Sequence, residues 1–396
     1  MVTQNETSAD LRVLLVIPLI IFVLFLVSSY FLSIILGPAL FFFTPEGADF
    51  NKLPTSPEEF PMLLFMAVGF YIPVTSSYGL AFLFLLNVYI VCFAGAWISR
   101  ESLHDVVRKG FSRPFTKLFN NNLFAMPIIA SMLFTAVIAI TLFQESQGIP
   151  TGSLPEAEPF PLFFQLTYSP VWEEISFRIS AIGVFLIAYL FSVGGKKLAK
   201  LSAGQALKIA LLIPLYPDKA KKVFGVKTVS EFGIKGISLG EWGMIGITSV
   251  IFGWLHVGNP WGLGKFTTAT LQGLVLGLVY LLYGVQAPIL LHWFFNYYWG
   301  GFILALDLYP NSLSLIFIIF FIEMVTLIVG VFGLSMFAGL VGVRLYRRWK
   351  KTVPSLPPST QPPPSPTIRF CRQCSRVLEE DMKFCPYCGK AFEEEA

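Results

Sequence analysis

Long apolar runs, each about the length of one membrane crossing, recur along the chain between shorter polar stretches. A helix needs about 20 predominantly apolar residues to cross a bilayer. The runs Leu11–Leu36, Tyr78–Ser99, Asn122–Phe143, Pro161–Val193, Glu241–Val257, Lys265–Tyr283, Gln286–Leu306 and Leu313–Val343 fit that length. The pattern predicts an all-α polytopic membrane protein with about eight transmembrane helices. The run Met62–Ile72 is apolar but short, and reads as a re-entrant or interfacial piece or the start of the second span. Leu11–Leu36 is too long for the apolar part of a signal peptide and lacks a small-residue cleavage site after it, so it reads as the first span. Leu201–Lys222 mixes apolar and basic residues and reads either as an amphipathic helix on the membrane surface or as a solvated loop with a short helix.

Composition agrees with lipid as the main solvent. Hydrophobic residues make up 55% of the 396, and charged residues only 13%, against about 25% in soluble domains. The net charge of +4 says little, but its distribution sets an orientation. Basic residues cluster at Arg100, Arg108, Lys109, Arg113 and Lys117, from Lys196 to Lys235, and from Arg344 to Lys351. With eight spans these clusters share one side, while Glu46, Asp49, Glu58, Glu59, Glu145, Glu156 and Glu158 fall on the other, with Lys52 and Lys265. Positive loops stay inside, so a cell-membrane location with both termini cytoplasmic is expected. Membrane lipid is then a partner, and no nucleic acid is expected.

Composition changes after Lys351. Pro354 to Pro366 is rich in Pro, Ser and Thr and reads as an extended linker. Beyond it stand Cys371-Arg-Gln-Cys374 and Cys385-Pro-Tyr-Cys388-Gly389. Two such knuckles can place four thiolates in the tetrahedron that zinc prefers. So small a piece has little core, so metal binding would supply its folding free energy. The tail resembles the short zinc-ribbon domains appended to many archaeal and bacterial membrane proteins. It predicts a structural zinc on Cys371, Cys374, Cys385 and Cys388, and a docking or regulatory role with an unidentified partner. Cys92 lies in an apolar run and reads as an inert buried thiol.

Ionisable groups inside spans are costly and mark function by default. The fourth span carries Glu173, Glu174 and Arg178 within six residues. Glu174 and Arg178, at i and i+4, can pair on a helix, which leaves Glu173 without a local partner. A structural Glu–Arg bridge and a general base are both consistent with this set. Of three histidines, His104 sits in a basic loop and reads as surface, while His256 and His292 belong to apolar spans. Asn296 follows His292 by four residues, so both can donate to one oxyanion.

Glu173-Glu174-Ile175-Ser176-Phe177-Arg178, Phe252-Gly253-Trp254-Leu255-His256 and His292-Trp293-Phe294-Phe295-Asn296 reproduce, in order, the patterns EExxxR, FxxxH and HxxxN. Over roughly residues 120–310 the chain thereby resembles the CPBP family, which includes the type II CAAX prenyl endopeptidases and bacteriocin-immunity proteins. The resemblance implies an intramembrane endopeptidase acting on a membrane-associated protein or lipidated peptide. It implies Glu173 as the base that activates water and His256 as a group that holds that water. It gives His292 and Asn296 the oxyanion hole, with Glu174, Arg178 and Phe252 supporting. No cofactor in the catalytic core follows from it. Implied domains are 1–120 (first helices and a cytoplasmic loop), 121–343 (protease-like core and last span), 344–369 (linker) and 370–392 (zinc ribbon).

Three other readings stay open. Glu173, His256 and His292 are a plausible ligand set for a catalytic zinc, although no HExxH is present. The chain can instead be a non-catalytic scaffold or immunity protein. A transporter would also carry intramembrane carboxylates, but no internal repeat supports one.

Overall fold

The computed structural model describes residues 4–55, 62–66, 68–70, 76–110, 115–153, 157–195, 202–258, 261–352, 369–378 and 384–391. Arg113, Lys196, Lys197, Lys200, Glu58, Glu59, Glu156 and the Pro-rich linker lie outside them. The chain divides into two compact units, Met1–Met336 and Phe337–Ala396.

The principal helices are α1 (Gln4–Phe43), α2 (Tyr78–Ile98), α3 (Asn122–Ser146), α4 (Pro159–Glu174), α5 (Val184–Val193), α6 (Ala203–Leu215), α7 (Leu239–Leu255), α8 (Lys265–Tyr283), α9 (Gln286–Trp293), α10 (Trp299–Leu308) and α11 (Leu313–Thr352). A π-helical segment, Ile175–Gly183, joins α4 to α5, and another, Phe294–Tyr298, joins α9 to α10. Seven helical stretches among the described residues are long and apolar enough to cross a membrane. An eighth exists if Val229–Gly236 and α7, bent by 74° to each other, count as one span. The protein is thus a multi-pass helical membrane protein.

The eighth span differs from the expected Glu241–Val257. Helix α7 has 17 residues, about 25 Å at 1.5 Å per residue, slightly short of a bilayer core. It starts at Ser238, whose side chain and that of Glu241 cap each other's backbone N–H. It stops at His256, before Gly258, which takes φ 155°. Leu201–Lys222 folds largely as two helices, α6 and Pro217–Phe224, the second opened by Pro217 at its first turn.

The short run Met62–Ile72 is neither a span nor a helix where described. It forms an antiparallel hairpin, β1 (Met62–Phe65) and β2 (Val68–Phe70). Too short to cross and flanked in sequence by Pro61 and Pro73, the run satisfies its backbone as a two-stranded ladder instead.

Helices α1, α2, α3, α4 and α9–α10 share one core, in which α9–α10 is the most buried crossing. Trp293 is fully buried against Tyr30 (5.7 Å), Phe93 (5.1 Å) and Tyr297 (5.4 Å). Such pairs add about 0.5–1.5 kcal/mol each beyond area burial, which holds the helix carrying His292 in place. The opposite surfaces expose Ile17, Ile35, Phe84, Val91, Phe317 and Phe320, as lipid-facing positions should.

Helices α7 and α8 approach closely because glycines face the contact. A Cβ on Gly253 would clash with Thr270 Oγ1 and lie 2.8 Å from the Phe266 carbonyl oxygen. One on Gly273 would lie 2.9 Å from Ser249 Cα. Small residues at such interfaces let backbones pack without side-chain separation.

Not every basic residue of the expected cytoplasmic loops is a surface charge. Lys221 is buried, its ammonium 2.8 and 2.9 Å from the two Glu241 oxygens, and it also donates to the Gly236 carbonyl. Arg100, beside the second span, takes φ 59° and donates to Asp218 at 3.1 Å.

Candidate active site

Glu173 and Glu174 end α4, immediately before the chain enters π geometry. His292 and Asn296 straddle the entry into the second π segment. π turns inside α-helices are rare and recur at functional sites. Here each π segment begins within a motif, one after Glu174 and containing Arg178, the other after Trp293 and containing Asn296.

Glu174 and Arg178 are fully buried. Arg178 NH1 donates to Glu174 Oε1 at 3.1 Å, and Arg178 Nε lies 3.1 Å from Oε2. The guanidinium also donates to the Gly273 carbonyl at 3.2 Å and sits 5.0 Å above the Phe252 ring. Buried charges persist only when so paired. The same Glu174 Oε1 stands 2.9 Å from His292 Nδ1. A carboxylate accepts, so Nδ1 carries the proton and Nε2 is turned elsewhere.

That other nitrogen faces Glu173: His292 Nε2 lies 3.8 Å from Glu173 Oε2. The distance is too long for a direct hydrogen bond. Oε2 is buried and has no donor among the described residues, so its lone pairs are available to a water or a substrate group. The Glu173 side chain as a whole is 21% exposed, against 0% for Glu174. The two adjacent carboxylates therefore divide in environment: Glu174 is locked, and Glu173 is reachable.

His256 caps the C-terminus of α7. Its Nδ1 lies 2.7 Å from the Phe252 carbonyl oxygen, which can only accept. Nδ1 is again the protonated nitrogen, and Nε2 keeps a lone pair in the neutral ring. The Phe252 ring is 4.5 Å from the His256 ring and 5.9 Å from the His292 ring. By span order alone, His256 falls near an outer helix end and His292 near an inner one. They meet at Phe252 because short α7 starts at the buried Lys221–Glu241 pair and ends at His256. Asn296 is half-buried one turn beyond His292. His104 is exposed, and Cys92 is buried.

Sequence reading missed the hairpin's share in this region. Ser176 Oγ donates to the Met66 carbonyl at 2.7 Å, and Met66 packs against the small buried cluster of Phe177, Phe252 and Ala269. No local pattern links Met66 to Ser176, which lies 110 residues away.

In the second unit β3 (Arg369–Phe370) pairs with β4 (Val377–Leu378). The sulfurs of Cys371, Cys374, Cys385 and Cys388 all lie within 4.8 Å of one another. Cys371 and Cys388 are 3.7 Å apart, and Cys374 and Cys385 3.6 Å. A tetrahedron with metal–sulfur bonds of about 2.3 Å places its sulfurs about 3.8 Å apart, so the four thiols fit a metal ion. Backbone N–H groups of Cys374 and Gln373 lower the Cys371 thiol to about 6. Among the described residues this is the one group of three or more His, Cys, Asp or Glu side chains so placed.

Comparison with curated proteins gives no match, and comparison with solved structures gives none. A family model does match, over the segment that contains Glu173, Glu174, Arg178, Phe252, His256, His292 and Asn296: residues 155–298 fit the family described as type II CAAX prenyl endopeptidase, Rce1-like, and the chain carries an Rce1-like region there.

Proposed function

We propose that the chain is an intramembrane endopeptidase that hydrolyses a peptide bond of a membrane-associated, prenylated CAAX-type substrate with a glutamate-activated water. One observation carries this reading: the reachable Glu173 carboxylate lies 3.8 Å from an imidazole nitrogen whose partner nitrogen is fixed on a buried carboxylate. The Rce1-like match over the same residues supports it.

Glu173 Oε2 takes a proton from a water as the water oxygen bonds to the scissile carbonyl carbon. His256 Nε2 accepts from the same water and orients it. Negative charge moves to the carbonyl oxygen, where a doubly protonated His292 donates through Nε2 and Asn296 through its amide. Glu173 then delivers its proton to the leaving nitrogen as the C–N bond breaks. Glu174 acts through His292, and Arg178 through Glu174. The scheme routes no step through a metal. The metalloprotease reading gains no support, because Glu173, His256 and His292 do not gather as the cysteines do. The four cysteines are assigned a structural zinc, and the loop charges support cytoplasmic termini.

Purified full chain in proteoliposomes, given a farnesylated CAAX-type peptide, tests the reading. Glu173→Gln lowers kcat by roughly 10²–10⁴-fold. Equal turnover by wild type and Glu173→Gln overturns it.

A further inference from the structure

Lys265 opens α8 and takes no part in the scheme above. The turn between α7 and α8 nonetheless sets it against the candidate site. His256 ends α7, and the chain reverses through Gly258, whose N–H donates to the Trp261 carbonyl at 3.1 Å. The returning helix packs along the outgoing one: a Cβ on Gly253 would lie 2.8 Å from the Phe266 carbonyl oxygen. Gly253 is three residues before His256, and Phe266 is the residue after Lys265. His256 and Lys265 therefore flank one turn at the same end of the helix pair.

The Lys265 side chain is half-buried, and its ammonium sits 3.8 Å from the centre of the Trp261 ring. Such a cation–π contact holds the charge in place without neutralising it. The ammonium is within electrostatic reach of both Glu173 and His256. It does not donate to the buried oxygen of the base: Glu173 Oε2 has no donor among the described residues. A positioned positive charge thus stands beside the groups that would activate water, and apart from them.

A substrate of the proposed kind supplies the matching charge. A CAAX-type chain ends three residues after its lipidated cysteine. A bond cut within that motif lies at most about 10 Å from the terminal carboxylate along an extended peptide. A carboxylate carried into a dry site is costly unless a cation meets it. Arg178, also within electrostatic reach of Glu173, is fully buried and clamped on Glu174. Lys265 is the half-buried cation. We propose that Lys265 binds the C-terminal carboxylate of the substrate and so sets how far from the chain end the bond is cut. This assignment rests on the endopeptidase reading, and adds to it the group that selects a free chain end.

Two farnesylated CAAX-type peptides, identical except for a C-terminal acid or a C-terminal amide, are offered to full chain in proteoliposomes. On wild type the acid is expected to have a KM about 10–100-fold below that of the amide, the usual size of one charge-assisted hydrogen bond, with kcat similar. Lys265→Met raises KM for the acid to that of the amide and leaves the amide unchanged, which also shows that the variant is folded. Lys265→Arg keeps most of the preference. Equal KM values on wild type overturn the proposal without any variant, and so does a preference that survives Lys265→Met. A fall in kcat alike for both peptides in Lys265→Met also overturns it, because the ammonium then serves Glu173 and not the substrate. A second readout needs no turnover: fluorescent acid peptide binds the Glu173→Gln chain more tightly than the amide by the same factor, and Lys265→Met added to that chain abolishes the difference. If Glu173→Gln cleaves like wild type, the protease reading falls. The binding difference then decides Lys265 alone: its presence keeps the carboxylate site, and its absence rejects it.

Discussion

Glu174 Oε1 lies 2.9 Å from His292 Nδ1 while the same carboxylate is clamped by Arg178. One fully buried anion thus joins the span of α4 to the helix bearing HxxxN, and sets which way the imidazole faces. Without that acceptor, His292 Nδ1 has no fixed proton and Nε2 no fixed direction toward Glu173.

Replacing Glu174 with Gln keeps the shape and removes the charge. Glutamine can still accept from Nδ1, but no longer stabilises an imidazolium. In the proposed scheme kcat falls about 10–100-fold, the usual cost of losing an orienting partner, while KM moves little. A purely structural role would show as a loss of folded protein with unchanged kcat per folded molecule, so melting temperature and kcat are measured on the same preparation. Unchanged kcat in a folded variant removes Glu174 from the mechanism.

The buried Lys221–Glu241 pair gives a stability test away from the site. Lys221→Met leaves a buried carboxylate without its cation, and about 3–5 kcal/mol is the usual cost of breaking such a pair. Lys221→Met with Glu241→Gln removes both charges and keeps a side chain able to cap Ser238. The double variant is expected to melt higher than the Lys221→Met single variant. Additive losses in a double-mutant cycle would show that the two do not interact.

These residues also show where sequence reading reached its limit. The Glu174–Arg178 pairing follows from i,i+4 spacing, which a helix enforces locally. The order of three motifs pointed to one pocket, but span counting put His256 and His292 at different depths. Their meeting depends on the shortness of α7 and on Gly253 and Gly273, whose effect is felt only when two helices pack. Lys221 was indistinguishable from its neighbours in a basic loop, because burial there is set by Glu241, 20 residues on. The hairpin was illegible for a different reason. A continuous apolar run carries no period that separates strand from helix, and its anchor, Ser176, is distant in sequence.

Gly253 and Gly243 lie on the same helix and separate packing from propensity. A methyl at Gly243 meets nothing within 4 Å, whereas at Gly253 it meets Thr270 Oγ1 and the Phe266 backbone. Gly243→Ala is expected to be neutral or stabilising by up to about 1 kcal/mol. Gly253→Ala is expected to destabilise by about 1–3 kcal/mol through overpacking, and to shift His256, three residues on. Thermal unfolding in detergent compares the two. Equal melting temperatures would mean that α7 and α8 can separate without cost.

The cysteine tail offers a test by metal content. Four sulfurs within 4.8 Å fit one tetrahedral ion, and thiolates at that spacing would repel without a cation between them. One zinc per chain is therefore expected by elemental analysis of purified protein, with Cys385→Ser losing most of it. Cys385 is fully buried, so the loss also opens the small core formed with Cys371 and Leu378. Since metal binding is most of the folding free energy of so small a piece, a strong chelator should expose the tail to protease and zinc should restore its resistance. Thiol titration separates this from redox chemistry: the metal-free tail should release four free thiols, and finding two disulfides instead would replace the zinc site with an oxidised pair of knuckles.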